Sequence, residues 1–126
     1  NNCVAIVKLL DMTLGLWSLD QDYDQKRREM YGKAGAFRVK PYGLEYRVLS
    51  NFWIMNRDNR KTVFETVQDT MRIWEAGFDI QGYLKDNFDM NPFDPRAIIN
   101  GEEGNLDQTN YVQHVLLQVR NGKIDV

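Results

Sequence analysis

Cysteine and histidine are almost missing from this chain: Cys3 and His114 are the only ones among its 126 residues. A single thiol excludes an internal disulfide and suits a reducing compartment. One thiol and one imidazole cannot make a His/Cys metal cluster. Long apolar runs are missing too. The richest stretch, "CVAIVKLLDMTLGLW", is broken by Lys8 and Asp11 and is shorter than the roughly 20 residues a membrane span needs. It has no basic n-region and no small-residue cleavage site before the following polar segment, so it is not a secretory signal. Nor is there an excess of one charge sign. A net charge of −2 gives no global reason to expect nucleic acid or anionic lipid as a partner. The chain starts Asn1-Asn2 without an initiator Met, as expected of a processed product or of the C-terminal portion of something longer.

What remains is ordinary soluble material, 43% apolar and 27% charged, of a length that buries about two thirds of its unfolded surface. From Cys3 to Ser18 apolar residues fall nearly all round the helical wheel, predicting a helix covered on most sides, and such a helix calls for further sequence upstream. "DYDQKRREM", Asp22–Met30, predicts an exposed polar helix that Gly32 and Gly35 end. Ala36–Lys40 and Leu44–Ile54 read as strands, with "KPYG" between them as the turn: Pro41 fixes φ and Gly43 permits φ > 0. Asp58 or Asn59 is expected to cap a helix to Ala76 whose inner face is Val63, Phe64, Val67, Met71 and Trp74. The segment 77–105 is turn-rich, with short helical pieces around Leu84 and Ala97. A last helix, Gln108–Arg120 with Asp107 as its cap, turns Tyr111, Val112, Val115, Leu116 and Val119 inward. The expected class is α+β, helices packed on a small antiparallel sheet, in a single domain over 1–126.

The chemistry is concentrated in "YGKAGAFRVKPYGLEYRVLSNFW", Tyr31–Trp53, whose only carboxylate is Glu45. Glu45 and Arg47 stand two apart on a strand and so emerge on one face, about 7 Å apart. Facing Arg38 across the hairpin would complete a polar cluster. Carboxylates ligate Mg²⁺, guanidinium forks hold phosphate or carboxylate, and glycines let backbone approach a ligand. Spacing alone favours an ordinary surface hairpin with cross-strand ion pairs, which contribute little.

Beside that reading stands a resemblance. The same stretch, extended upstream through "LLDMTLGLWSLDQDYDQKRREMYG", resembles the phage-type carboxylate–amine (COOH-NH2) ligases of the glutamine synthetase and glutamate–cysteine ligase superfamily. The likeness covers 3–54 as the family-like core, with 58–126 as a helical C-terminal region. It implies the C-terminal part of a glutamine synthetase-like catalytic domain. Its activity would be ATP-dependent amide formation through an acyl phosphate, with ATP and Mg²⁺ as cofactors. "GKAGAFR" is similar to the strand whose Arg contacts nucleotide phosphate, which puts Arg38 in that role. "LEYR" is similar to the Glu-x-Arg strand, with Glu45 as metal ligand and Arg47 as contact to phosphate or substrate carboxylate. Lys33 and Arg28 resemble accessory phosphate-side cations. The upstream Glu-x-Glu strand and His-x-His of such ligases do not occur in these residues, so the resemblance implies that an N-terminal segment or another chain supplies the rest of the metal site.

The implied partners are a small-molecule or peptide carboxylate and an amine, with no nucleic acid and no membrane, and a homo-oligomer is compatible. The implied setting is the cytoplasm of an infected bacterial cell, or association with the virion. The alternative from another class is a non-catalytic phage structural or assembly protein derived from a ligase fold. Elsewhere, His114 reads as a satisfied or solvent-facing side chain and Cys3 as inert packing. Trp17, Trp53 and Trp74 read as core residues before adenine platforms, and "NGEEGN" as an exposed turn.

Overall fold

The first helix departs from α geometry where its buried polar residues begin. A computed structural model describes residues 2–19, 32–100 and 107–126. In it α1 (Asn2–Leu10) runs into a π-helical turn (Asp11–Gly15) and then a short α2 (Leu16–Ser18). Every residue from Leu10 to Leu16 is buried, because helices pack around this turn on several sides. Such a position requires polar groups to find partners inside. The Thr13 hydroxyl approaches both the Leu9 carbonyl (3.1 Å) and the Thr70 hydroxyl (2.8 Å), and Thr13 O accepts from the Gln113 side chain (3.3 Å). Thr70 in turn reaches the Thr66 carbonyl at 2.7 Å. Two hydroxyl protons serve these three hydroxyl contacts, so only two are donated at once.

The hairpin follows a loop at 32–36. Strand β1 (Phe37–Lys40) pairs antiparallel with β2 (Gly43–Tyr46), in the register Phe37↔Tyr46, Arg38↔Glu45, Val39↔Leu44 and Lys40↔Gly43. The turn falls at Pro41-Tyr42 as the sequence predicts. The second strand, however, is far shorter than Leu44–Ile54. Its last backbone tie is Arg47 N–H to Ala36 O (2.9 Å). Beyond it the partner chain turns away at Gly35, whose φ of +79° suits glycine. With no ladder partner, residues 47–50 leave strand geometry, Val48 becomes fully buried, and Asn51–Trp53 closes into a 3-10 turn.

Helix α3 (Arg57–Ala76) is capped by Asn56, whose Oδ1 accepts from Asn59 N–H (3.0 Å), and it ends at Gly77 with φ +67°. The cap is therefore Asn56, ahead of the expected Asp58 or Asn59. Its inner face also differs from expectation. Thr66, Asp69, Thr70 and Ile73 are buried, an i, i+3, i+4, i+7 stripe, while Phe64 is 66% exposed. Thr70 meets Thr13, and Asp69 receives Arg120 Nε (3.0 Å) and Nη2 (2.6 Å). These polar partnerships set the rotation of the helix over the apolar stripe beside it. Asp79 caps α4 (Ile80–Phe88), and Asp94, with Pro95 in the first turn, caps α5 (Pro95–Ile99). Helix α6 (Asp107–Arg120) buries Thr109, Val112, Val115, Leu116 and Val119, while Tyr111, expected to face inward, is exposed. Asp107, expected as its cap, is the first described residue of this helix.

The class is α+β: helices with one two-stranded antiparallel sheet. A hydrophobic cluster of Met12, Leu16, Val48, Ile73, Leu84, Ile99, Val115 and Leu116, among others, draws on the N-terminal helix, the post-hairpin segment and all four later helices. No helix among the described residues is long and apolar enough to cross a membrane. The expected polar helix at Asp22–Met30, Arg28 within it, and most of the "NGEEGN" turn lie outside the described residues.

Candidate functional site

In an antiparallel pair, directly opposed residues point to the same side. The Arg38↔Glu45 register therefore puts Arg38, Lys40, Glu45 and, two further along, Arg47 on one face of the hairpin. Phe37, Val39, Leu44 and Tyr46 take the other. Glu45 stands between cations: Arg47 Nε is 3.6 Å from Oε1 and Lys40 Nζ 3.7 Å from Oε2. Both distances exceed those of charge-assisted hydrogen bonds, and Glu45 keeps 46% of its side-chain surface. The carboxylate is held loosely between the two cations. Arg38 is exposed and makes no ion pair among the described residues, and Lys33 stands exposed on the preceding loop. So the structure brings together Arg38, Glu45 and Arg47, adds Lys40, and places Lys33 at the base of the hairpin. Three cations around one carboxylate leave this face positive on a chain whose net charge is negative.

The glycine loop does something other than the sequence suggests. Three of its amides are already engaged: Ala34 N–H donates to Asn100 Oδ1 (2.9 Å), Gly35 N–H to Asp11 Oδ1 (3.1 Å) and Ala36 N–H to Lys33 O (3.0 Å). These three donors are occupied, so at this loop an anion would be met by side chains rather than by a backbone cradle.

Asp11 is the anchor of the arrangement. It is fully buried, and the same Oδ1 that takes the Gly35 amide accepts from Tyr46 Oη at 2.5 Å. Burial raises its pKa above the ordinary aspartate value, against the lowering effect of the Tyr46 and Gly35 hydrogen bonds and of Arg96 nearby. Among the described residues its Oδ2 has no hydrogen-bond partner. One carboxylate thus joins the π turn to the loop bearing Lys33 and to the strand bearing Glu45. Gly15, one helical turn on, leaves the space that this requires. A Cβ there would stand 2.8 Å from Tyr46 Oη and 2.7 Å from Ile99 Cδ1. Sequence reasoning missed Asp11, Lys40 and Asn100. The signal available for Asp11 was an acid inside an otherwise apolar helical run.

A cleft of about 380 Å³ opens beside this face, where Glu45 and Arg47 meet Leu49, Trp53 and α3. Trp53 is therefore a wall residue as much as a packing one, whereas Trp17 packs on Phe52 with ring centroids 5.7 Å apart. His114 is exposed and edge-on to Phe88 (5.9 Å), and Cys3 is half-buried. Neither adjoins the hairpin.

A family model described as phage phiEco32-like COOH.NH2 ligase-type 2 matches residues 2–76. The chain belongs to this family. The matched region begins with α1, contains the π turn, the glycine loop and the hairpin, and ends on the last residue of α3. It therefore holds every element that bears the charged face, and it extends beyond the 3–54 core inferred from motif resemblance. Helices α4, α5 and α6 lie outside it, so Asn100 and Arg96 support the COOH.NH2 ligase region from beyond its boundary. No curated protein and no solved structure matches the chain. Membership gives a ligase and a phage context as the functional class.

Proposed function

We propose that the chain contributes the phosphate-side face of an ATP-dependent carboxylate–amine ligase, which forms an amide by way of an acyl phosphate. The observation that carries this reading is the hairpin face, where Arg38, Lys40 and Arg47 surround Glu45 within the family-matched region. Phosphoryl transfer asks for positioning and cationic stabilisation rather than a covalent nucleophile, and guanidinium forks suit phosphate and carboxylate oxygens. Arg38, exposed and unpaired among the described residues, binds nucleotide phosphate, with Lys33 and Lys40 adding charge beside it. Arg28 has the accessory role that the motif resemblance gives it. Arg47 orients the reacting carboxylate.

The fit to Mg²⁺ is limited. Among the described residues no group of three His, Cys, Asp or Glu side chains could hold a metal, and each Glu45 oxygen has a cation within 4 Å. Glu45 therefore suits one ligand position on a nucleotide-borne ion, since Mg²⁺ in such sites takes one or two carboxylates plus phosphates. It does not form an independent centre. Bound Mg·ATP would supply the phosphoryl group and neutralise its charge, and the remaining metal ligands come from an N-terminal segment or another chain.

The test is formation of hydroxamate and inorganic phosphate from Mg·ATP, a panel of carboxylic acids and hydroxylamine, by the protein with its upstream partner segment supplied. Arg47→Ala and Glu45→Gln are expected to lower turnover by about 100-fold each, the scale of removing one charge-stabilising group. Unchanged turnover in both variants rejects the site. Absence of turnover together with absence of Mg·ATP binding instead favours a non-catalytic phage structural or assembly protein.

A further inference from the structure

Helix α3 carries a second apolar stripe, which the described residues leave largely open to solvent. Phe64, Val67, Met71 and Trp74 follow the i, i+3, i+7, i+10 spacing of a coiled-coil seam. They lie beside the buried Thr66, Asp69, Thr70 and Ile73, not among them. Phe64 and Val67 are exposed, and Met71 and Trp74 are half-buried. Arg60, one heptad before Val67, donates to the Ile54 carbonyl (2.6 Å), which brings the exposed Ile54 and Met55 to the N-terminal end of the stripe. A contiguous exposed apolar surface of this kind marks a contact site.

The flank of the stripe selects the partner. Lys61, Gln68 and Glu75 stand seven residues apart along one side of it, so charge runs from positive through neutral to negative down the helix. A second α3 laid antiparallel about Gln68 sets Lys61 of each copy against Glu75 of the other. Parallel pairing would set like charges together, and such flanking charges decide orientation in helix pairs. Both groups are available. Glu75 is exposed and makes no ion pair among the described residues, and Lys61 reaches Glu65 only at 3.8 Å while keeping 77% of its side-chain surface. Shape agrees with charge. The same register sets Phe64 against Met71 and Trp74 of the second copy. Beside Met71 lies a groove of about 620 Å³, lined by Val67 and Met71 together with polar and charged side chains such as Gln68, Arg72 and Glu75. A protruding ring at one end of the stripe and a hollow at the other give the self-complementarity of an isologous two-fold contact.

We infer that this face docks a second copy of the chain, α3 against antiparallel α3 about Gln68. Phe64 seats in the partner's groove, and two Lys61–Glu75 pairs close the flank. Val63 and Val67 also wall the cleft that opens beside Glu45 and Arg47, so the second copy stands at the edge of that cleft.

Sedimentation velocity of the chain from about 5 to about 500 μM, a range that brackets weak association, tests it. A seam of four side chains per copy belongs with the small interfaces of transient complexes, so a monomer–dimer equilibrium with a Kd on the order of 100 μM is expected. Phe64→Ser, at an exposed position and so compatible with folding, should leave the chain monomeric, as loss of a central aromatic anchor does. Lys61→Glu alone and Glu75→Lys alone should each weaken the dimer about tenfold, because two contacts per dimer turn from attraction to repulsion. An equimolar mixture of these two variants should recover association, and so should the double variant Lys61→Glu/Glu75→Lys by itself. Recovery in the double variant belongs to antiparallel pairing alone, since a parallel pair would still hold like charges together. Circular dichroism establishes that each variant is folded. The inference is overturned if the chain stays monomeric across the whole range, if Phe64→Ser dimerises as the wild type does, or if the double variant fails to recover what the single changes lose. Association is read without nucleotide or substrate, so its failure leaves the ligase reading untouched.

Discussion

Asp11 concentrates in one side chain most of what holds the charged face in place. Its Oδ1 accepts from Tyr46 Oη and from Gly35 N–H, and its Oδ2 is buried without a partner among the described residues. Tyr46→Phe removes the shorter of the two bonds and leaves a buried carboxylate with one donor fewer. The expected loss is about 1–3 kcal/mol, the scale of an unsatisfied buried polar group, read from urea denaturation midpoints. Gly15→Ala gains helix propensity worth up to about 1 kcal/mol but drives a methyl against Ile99 Cδ1 and Tyr46 Oη. The isoleucine end can rotate away, whereas the tyrosine is fixed by its bond to Asp11. Overpacking therefore wins, with a net loss of about 1–2 kcal/mol and a shifted Tyr46 ring signal by NMR. The pH dependence follows from burial. Because desolvation raises the Asp11 pKa in the folded state, the unfolded chain gives up this proton first as pH rises. The contribution of Asp11 to stability is then greatest below the ordinary aspartate pKa of about 4 and is lost as pH rises through the folded value. Asp11→Asn removes that slope, so the stability of the wild type relative to Asp11→Asn should fall as pH rises above the ordinary aspartate pKa. A difference that grows with pH would contradict the assigned direction.

At the scale of elements, the same competition between local pattern and partners decides where each one ends and turns. In α3 the sequence offers two overlapping stripes, Val63/Val67/Met71/Trp74 and Thr66/Asp69/Thr70/Ile73, and hydropathy favours the first. The second is buried because Thr70 meets Thr13 and Asp69 meets Arg120, contacts 57 and 51 residues away in sequence. Ile73→Ala should therefore cost about 2–5 kcal/mol, as for buried large-to-small changes. Phe64→Ser should stay within about 0.5 kcal/mol, as for surface substitutions. The reverse order in thermal denaturation would restore the face read from hydropathy. The hairpin was legible because Pro41 and Gly43 punctuate it, whereas its register, with Arg38 opposite Glu45, was settled only by the structure. The early end of β2 was not legible, since the alternation from Leu44 to Ile54 is real but the partner strand stops at Phe37. The charged residues of the candidate site could be found locally, on neighbouring strands, with the resemblance supplying their roles. The relation of Asp11, Asn100 and Arg96 to the glycine loop could not, because it exists only once distant helices have docked; an acid in an apolar run marked Asp11 but not its partners.

Across the whole molecule, the family-matched region is braced by helices it does not contain. Arg120, at the end of α6, donates through Nε and Nη2 to the buried Asp69 of α3, and its Nη1 lies 2.9 Å from Glu65 Oε2. The guanidinium keeps 36% of its side-chain surface while Asp69 keeps 6%, so the two ends of the pair differ in what they lose on separation. Removing the arginine strands a carboxylate that water hardly reaches, and removing the aspartate leaves a cation that Glu65 and solvent still satisfy. Breaking a fully buried pair costs about 3–5 kcal/mol. With one partner partly exposed, Arg120→Met should cost about 2–3 kcal/mol and Asp69→Asn less, both measured by denaturant unfolding. The pairing predicts non-additivity as well: Arg120→Met combined with Asp69→Asn should be less damaging than the sum of the two changes, because the double variant no longer buries an unpaired charge. Additive losses would mean that each residue supports the fold through separate contacts, and that α6 is held to α3 by Val112, Val115 and Val119 alone. Since α3 also carries the Val63 and Val67 wall of the cleft, the single Arg120→Met change should loosen that wall, and amide exchange at Val63 and Val67 should quicken in it before exchange in the hairpin does.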